Sequence, residues 1–114
     1  MRRVTVHTAH VIPERAPLRV AVGQEVDVGK RDDDWPEFVF VTTESGSGWV
    51  PARHLGIEGD RGVVRTPYDT TELPTEVGDV LEVVVEDQQS GWVWCQDPNG
   101  DEGWVPLRTV SPYL

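Results

Sequence analysis

A four-residue motif occurs twice in this chain and divides it into two similar halves. Gly48-Trp49-Val50-Pro51 recurs 55 positions later as Gly103-Trp104-Val105-Pro106. The segments 22–28 and 77–83, which both begin Val-Gly, match at the same spacing. Two independent anchors with one offset indicate an internal repeat. Each copy then spans about 55 residues, close to the smallest size at which a domain folds without disulfides or metals.

The composition of both copies favours strands. Twenty valines stand against four alanines, and eleven glycines and nine prolines interrupt the chain at short intervals. Valine favours strands, whereas alanine is the best helix former. The period-2 pattern predicts strands at residues 4–8, 25–28, 38–42, 48–50, 62–66, 80–85, 92–96 and 103–105. The sequence therefore predicts an all-β fold of two small barrels in tandem, residues 1–57 and 58–114.

The net charge is strongly negative and unevenly distributed. Twenty acidic residues against ten basic ones give a formal charge of −10, which offers no electrostatic attraction to phosphate backbones and excludes nucleic-acid binding through a basic surface. Residues 1–57 carry seven basic and eight acidic groups, and residues 58–114 carry three and twelve. Two interpretations of the acidic second copy stay open: it steers a basic peptide or protein toward the chain, or it is a solvated surface that aids solubility.

Several other classes of protein are not indicated. The N-terminus alternates apolar and polar residues without a signal-peptide core, and no stretch approaches the roughly 18 apolar residues of a membrane span. Cys95 is the only cysteine, so an internal disulfide is impossible. We therefore expect a soluble cytoplasmic protein with no membrane association, in which Cys95 is an ordinary buried thiol.

The motifs of catalysis and metal binding are missing. The sequence contains no nucleophile elbow, no phosphate-binding glycine loop and no constellation of histidine with carboxylate. Asp32-Asp33-Asp34 lacks the glycine and the distal glutamate of a calcium loop, and three histidines with one cysteine do not form a zinc-finger pattern. We expect a non-enzymatic protein with no catalytic residue, no metal and no cofactor.

The second copy resembles a Src-homology 3 (SH3) domain over residues 62–110. Five segments carry the resemblance, in the family's order: Thr66-Pro67-Tyr68-Asp69-Thr70 (the family's Ala-Leu-Tyr-Asp-Tyr), Glu72-Leu73 (the acidic-leucine pair after the RT loop), Val77-Gly78-Asp79 (the lysine-glycine-aspartate turn), Gly91-Trp92-Val93 (the strand with the ligand-binding tryptophan) and Gly103-Trp104-Val105-Pro106 (the entry to the 3₁₀ turn). The whole chain then resembles a tandem pair of bacterial-type SH3-like barrels.

The resemblance implies a ligand groove on the second copy. Position by position, its lining would be Tyr68, Trp92, Trp104 and Pro106, with Glu72 as the acid of the specificity pocket. Flat aromatic rings accept a preformed polyproline II segment at little entropic cost, and a carboxylate beside them selects a flanking arginine or lysine. The sequence departs from the family pattern at Thr70 and Thr109, where two groove tyrosines are replaced, and in its shorter RT loop.

The first copy keeps only part of this pattern. Phe38 stands opposite Trp92, and Trp49 and Pro51 stand opposite Trp104 and Pro106, so that Phe38, Trp49 and Pro51 form a second candidate set. In the second copy, strand parity places Trp92 and Trp94 on one face and Val93 and Cys95 on the other, where the core is expected.

The function that these observations predict is a non-enzymatic protein–protein interaction module. It would dock a peptide or loop of a basic, proline-containing partner on the aromatic strip of the second copy. Two alternatives stay open. The aromatic faces could pack between the barrels or in a homodimer as a structural element, or the chain could be an acidic inhibitor that covers a basic protein surface.

Overall fold

The computed structural model describes residues 2–12 and 16–111, which form strands and two short 3₁₀ helices. No helix in these ranges is long or apolar enough to cross a membrane. The 3₁₀ helices are Ala52–His54 and Leu107–Thr109. The strands are Arg3–Val6 (β1), Arg19–Val20 (β2), Glu25–Arg31 (β3), Phe38–Thr43 (β4), Gly46–Pro51 (β5), Leu55–Glu58 (β6), Arg61–Val64 (β7), Tyr68–Asp69 (β8), Val80–Asp87 (β9), Trp92–Gln96 (β10), Glu102–Pro106 (β11) and Val110–Ser111 (β12).

The all-β prediction is confirmed. Each of the eight predicted strands is present with shifts of a few residues at its ends, whereas β2, β6, β8 and β12 were not predicted. Three of these four contain two residues each, too few to show the alternation on which the prediction relied. The strands form two five-stranded sheets, β11-β10-β9-β1-β12 and β5-β4-β3-β7-β6, and the two-stranded sheet β2-β8. None of the three sheets closes on itself within the described ranges, so two tandem barrels are not confirmed.

The chain divides into two compact units whose bounds differ from the predicted 1–57 and 58–114. One unit, here the terminal unit, combines Met1–Glu14 with Thr71–Leu114. The other, the central unit, is Arg15–Thr70. The difference arises because the first strand of each repeat pairs with the other repeat: β1 pairs with β9 and β12, and β7 pairs with β3 and β6.

A tight turn accounts for this exchange of strands. β6 and β7 form an antiparallel hairpin around Gly59, whose φ of +63° suits a residue without Cβ. Closing so short a loop has a small entropic cost, so β7 pairs back on β6 in the central unit. β1 has the same alternating burial as β7, and in the terminal unit it pairs Val4 with Leu81 and Val6 with Val110.

Each unit has its own apolar core. In the central unit the buried side chains include Val26, Val41, Val50 and Val64. In the terminal unit they are contributed by all of its strands and the segment before β9: Val4, Val6, Leu73, Leu81, Val93, Cys95, Val105 and Val110. The predicted inward position of Val93 and Cys95 is confirmed, since neither exposes any surface. The opposite face of β10 is therefore free to carry its aromatic residues outward.

Candidate functional site

The hairpin of β10 and β11 presents aromatic residues on the face that points away from the core. Trp94 lies directly opposite Trp104, and their ring centroids are 5.3 Å apart at 83°, an edge-to-face contact. Trp92 lies opposite Pro106 on the same hairpin. We call Trp92, Trp94, Trp104 and Pro106 the aromatic strip.

The members of the aromatic strip differ in how much surface they expose. Pro106 is completely buried and Trp92 keeps 9% of its surface exposed, whereas Trp94 and Trp104 are half-buried. Val85 on β9 pairs with Trp94 and is 51% exposed, so it extends the row Val85–Trp94–Trp104 across three strands. Within the aromatic strip, Trp94 and Trp104 are the residues that a ligand can reach, and Val85 lies beside them.

A carboxylate fixes the edge of this row. The indole Nε1–H of Trp94 donates to Oε1 of Glu102 at 2.7 Å. A hydrogen bond to an ionised acceptor is stronger than a neutral one, so it holds the ring of Trp94 against Trp104 and places a negative charge beside both.

The backbone around Glu72 is anchored to β11. The N–H of Leu73 donates to the carbonyl of Trp104 at 3.1 Å, and the N–H of Trp104 donates to the carbonyl of Thr71 at 2.9 Å. Glu72 thereby forms a parallel bridge with Trp104. The backbone of Glu72, the residue predicted as the acid of the specificity pocket, thus lies next to the backbone of Trp104.

The side chain of Glu72 has a partner that the sequence did not reveal. His10 Nε2 lies 2.8 Å from Glu72 Oε1, and the imidazole contacts Trp92 edge to face with ring centroids 5.4 Å apart. The backbone of His10 is bound to Thr75 at both ends: its N–H donates to Thr75 Oγ1 at 3.0 Å, and its carbonyl accepts from Thr75 N–H at 3.3 Å. His10, Glu72 and Trp92 therefore form one connected cluster.

Tyr68, the first residue of the predicted groove, belongs to the central unit and not to the unit of Trp92. Its ring contacts Phe38 (centroids 6.5 Å apart) and His54 (5.2 Å) edge to face, and β8 pairs it with Val20. The sequence comparison placed it with the second repeat because it follows β7, and β7 is one of the two exchanged strands.

His10 takes in the terminal unit the position that Tyr68 takes in the central unit. The N–H of Thr8 donates to the carbonyl of Thr109, as that of Thr66 does to the carbonyl of His54, and Thr109 and His54 are 55 residues apart. Two residues further on, His10 meets Trp92 where Tyr68 meets Phe38. The offset between the repeats is thus 58 residues at His10 and Tyr68, against 55 at the two Gly-Trp-Val-Pro motifs.

The second candidate set lies together in the central unit. Phe38 pairs with Pro51 across β4 and β5, and both are buried. Trp49 is half-buried and contacts Phe40, with ring centroids 5.0 Å apart at 70°. This pair corresponds to Trp94 and Trp104, but Pro17 stands at the position of Glu72, so the acid is missing.

The exchange also changes how charge is shared. The terminal unit contains ten acidic and three basic residues, and the central unit contains ten and seven. The predicted excess of acid in the second half is smaller when counted by unit, because Glu58, Asp60 and Asp69 fall in the central unit and only Glu14 is gained. The number of basic residues stays at three. The terminal unit still carries most of the net negative charge.

The remaining candidates for chemistry are built into the scaffold. Burial raises the pKa of the Cys95 thiol from its ordinary 9.0 to about 12, so the thiolate needed for nucleophilic attack does not form near neutral pH. Asp32 Oδ1 accepts the backbone N–H groups of Asp34 and Trp35, which gives this aspartate a role in its loop. Among residues 2–12 and 16–111, no group of histidine, cysteine and carboxylate side chains is arranged to hold a metal ion.

Three contributors to the site were missed from the sequence. Trp94 could have been found, because its parity with Trp92 places both on one face of β10. Glu102 directly precedes the Gly-Trp-Val-Pro motif, but no pattern in the sequence indicates its hydrogen bond to Trp94. The only trace of His10 is the 58-residue offset between Val6-x-Thr8-x-His10 and Val64-x-Thr66-x-Tyr68.

The comparison with known families agrees with the resemblance of the second repeat. Residues 64–113 match the family described as the variant SH3 domain. Neither the curated proteins nor the solved structures gave a match. Residues 64–113 are therefore similar to a variant SH3 domain, while an SH3-like first repeat stays a prediction. The match begins at the last residue of β7 and includes β8 to β12, so it crosses from the central unit into the terminal unit.

Proposed function

We propose that this chain is a non-enzymatic protein-interaction module and that a peptide or loop of its partner docks on the aromatic strip of the terminal unit. The observation that carries the proposal is the cross-strand pair of Trp94 and Trp104, half-exposed on the outward face with Glu102 bound to one ring. The SH3-type match at residues 64–113 supports the same class of function.

The shape of the strip favours an extended ligand. Val85, Trp94 and Trp104 form a row across three strands, and Trp92 and Pro106 form the floor beside it. Ridges of flat rings suit a polyproline II segment, which loses little conformational entropy on binding and presents apolar faces at regular intervals. A proline-containing peptide is therefore the ligand we propose.

The charges around the strip favour a basic ligand. Glu72 lies beside Trp104 and Glu102 lies beside Trp94. A guanidinium group placed here would meet both a carboxylate and the face of an indole ring, which together bind arginine through charge-assisted hydrogen bonds and a cation–π contact. The acidic character of the terminal unit would also raise the rate of encounter with a basic partner.

The direct test is titration with a short proline-rich peptide that carries arginine, followed by indole and amide NMR shifts. We expect shifts at Trp94 and Trp104, and a loss of affinity of about tenfold or more in Trp104→Ala, as for a central aromatic contact. Trp49→Ala, at the corresponding position of the central unit, is the matched control and should keep the wild-type affinity. The absence of any shift at millimolar peptide would exclude the proposal.

Ionic strength separates docking on the strip from covering of a basic surface by charge alone. Under the docking proposal, association slows with added salt, yet Trp104→Ala still removes most of the affinity. An acidic inhibitor would lose its partner on neutralisation of acidic residues and would tolerate Trp104→Ala. An association rate that does not vary with salt would remove electrostatic steering from the proposal.

Assembly is the second candidate function, and exposed valines on β9 favour it. Val80, Val84 and Val85 expose 48%, 53% and 51% of their surface. Neighbouring apolar residues on one strand are a typical contact between copies of a chain. A concentration-dependent sedimentation coefficient that Val84→Lys abolishes would support a homodimer, and a constant monomer mass up to millimolar concentration would exclude it.

A further inference from the structure

We propose that His10 is a positioning residue for Glu72, and that this pair, rather than Glu72 alone, selects a basic side chain of the ligand. The inference rests on the proposed function. It assigns a binding role to the N-terminal segment, which lies outside the residues that match the SH3 family.

The position of His10 is fixed from three sides. Its backbone forms a bridge with Thr75, its ring packs on the edge of Trp92, and its Nε2 reaches Glu72 Oε1. The two side chains of the pair keep only 15% (His10) and 23% (Glu72) of their surface exposed. A contact so constrained loses little conformational entropy when a ligand binds, because the carboxylate is already ordered.

The hydrogen bond also defines which atoms remain for a ligand. An ionised carboxylate only accepts hydrogen bonds, so Nε2 of His10 must carry the proton and donate it to Oε1. Oε2 of Glu72 has no hydrogen-bond partner in the part of the chain that the structure describes. An arginine or lysine of the ligand can therefore bind Oε2 while His10 keeps the other oxygen in place.

The central unit shows what the same framework looks like without this pair. Tyr68 stands at the position of His10, and Pro17 stands at the position of Glu72. Neither residue offers a carboxylate. Only the terminal unit should therefore select a cationic side chain. This selection should depend on His10, which the N-terminal segment brings into the terminal unit together with β1.

The experiment compares two peptides on the full chain: a short polyproline peptide with a single arginine, and its twin with glutamine in place of the arginine. A charge-assisted hydrogen bond predicts a preference of at least about tenfold for the arginine peptide. Glu72→Gln should abolish this preference. His10→Phe, which keeps an aromatic ring beside Trp92 but cannot donate to Glu72, should reduce this preference to about twofold.

Two variants show that this effect belongs to the hydrogen bond. His10→Gln keeps a donor and should restore most of the preference, which a merely structural role would not explain. His7→Phe replaces an exposed histidine of the same segment and should behave as the wild type. A preference that survives in His10→Phe would overturn the inference and leave docking on the strip intact.

A measurement on the wild-type chain makes the test independent of folding of the variants. The arginine peptide should shift the imidazole resonances of His10, and the glutamine peptide should leave them in place. An imidazole that does not respond to the arginine peptide, while Trp104 does, would overturn the role of His10. If neither peptide perturbs Trp94 or Trp104, the proposed function fails, and this inference fails with it.

Discussion

Gly103 lies so close to the backbone of Glu72 that a Cβ atom on Gly103 would stand 2.7 Å from the carbonyl carbon of Glu72. The same added atom would stand 2.7 Å from the backbone nitrogen of Leu73. Real Cβ atoms do not approach backbone so closely, so glycine is required where the Glu72 segment crosses β11. The repeated Gly-Trp-Val-Pro motif therefore combines a close backbone approach with the tryptophan beside it.

Replacement of Gly103 by alanine should push the Glu72 segment away from β11. Overpacking of this kind costs about 1–3 kcal/mol of the free energy of unfolding, and here it should also break the hydrogen bonds between Trp104 and residues 71 and 73. Urea-induced unfolding of Gly103→Ala gives the stability change, and the indole resonance of Trp104 reports the displacement.

Gly48→Ala is the matched control for this substitution. A Cβ atom on residue 48 would stand 3.2 Å from its nearest neighbour, Cγ2 of Thr70. This neighbour belongs to a side chain, which can move more readily than backbone. We expect Gly48→Ala to cost less than Gly103→Ala. Equal stability losses, with Trp104 unperturbed in both variants, would contradict the steric argument for Glu72.

The exchange of strands predicts which unit each buried valine stabilises. Val6→Ala should loosen the terminal unit, and Val64→Ala should loosen the central unit, because these side chains belong to the cores of those units. Loss of two core methyl groups costs about 1–3 kcal/mol. Native-state hydrogen exchange should locate the effect, since local opening is read amide by amide.

The two valine variants act as controls for each other. Val6→Ala should speed exchange at Val93 and Cys95 and leave Val39 and Val41 unchanged, and Val64→Ala should do the reverse. The opposite assignment, with Val6 protecting the central unit, would show that each repeat keeps its own first strand.

The sequence predicts where most strands lie but not which strands pair with one another. Alternation in 80–85 and 92–96 predicts β9 and β10, and the inward position of Val93 and Cys95 follows from parity alone. The pairing of β1 does not follow, because Val4-x-Val6 and Gly62-x-Val64 present the same alternation and either strand suits either sheet. The turn at Gly59 decides between them, and the energetic effect of a two-residue turn is not apparent from hydrophobic pattern.

The strand exchange decides which of the candidate site residues lie in the same unit. Glu72, Trp92, Trp104 and Pro106 all lie in the terminal unit, and whether they bind a ligand stays a prediction. Tyr68 precedes residue 71, where the terminal unit resumes, and therefore lies in the central unit. A contiguous motif predicts neighbours in sequence, whereas the cluster around Trp92 depends on a residue from the opposite end of the chain.

The ring of Tyr68 should matter for the stability of the central unit and not for ligand binding. We expect Tyr68→Leu, which removes the edge-to-face contacts with Phe38 and His54, to lower stability by about 1–3 kcal/mol. The affinity for the arginine peptide should stay within about twofold of the wild-type value. Trp104→Ala, by contrast, should lower this affinity by about tenfold or more. Comparable losses of affinity in both variants would indicate that Tyr68 contacts the ligand.

The buried thiol of Cys95 predicts how stability changes in alkaline solution. Its pKa is about 12 in the folded chain against an ordinary 9.0, because burial disfavours the thiolate. Below pH 9 both states keep the proton, so the thiol contributes no pH dependence. Between pH 9 and 12 the unfolded chain releases the proton and the folded chain retains it, so the free energy of unfolding should fall by up to about 1.4 kcal/mol per pH unit.

Cys95→Ala isolates this effect from the other groups that titrate in the same range. The difference in unfolding free energy between wild type and Cys95→Ala should be constant from pH 6 to about pH 9 and should shrink above it, as measured by urea unfolding at each pH. In the folded wild-type chain, iodoacetamide at pH 8 should modify Cys95 only as fast as the terminal unit opens, since the thiolate is the reactive form. Rapid alkylation without unfolding, or a pH-independent difference up to pH 11, would show that Cys95 is accessible to solvent and that β10 does not turn this residue into the core.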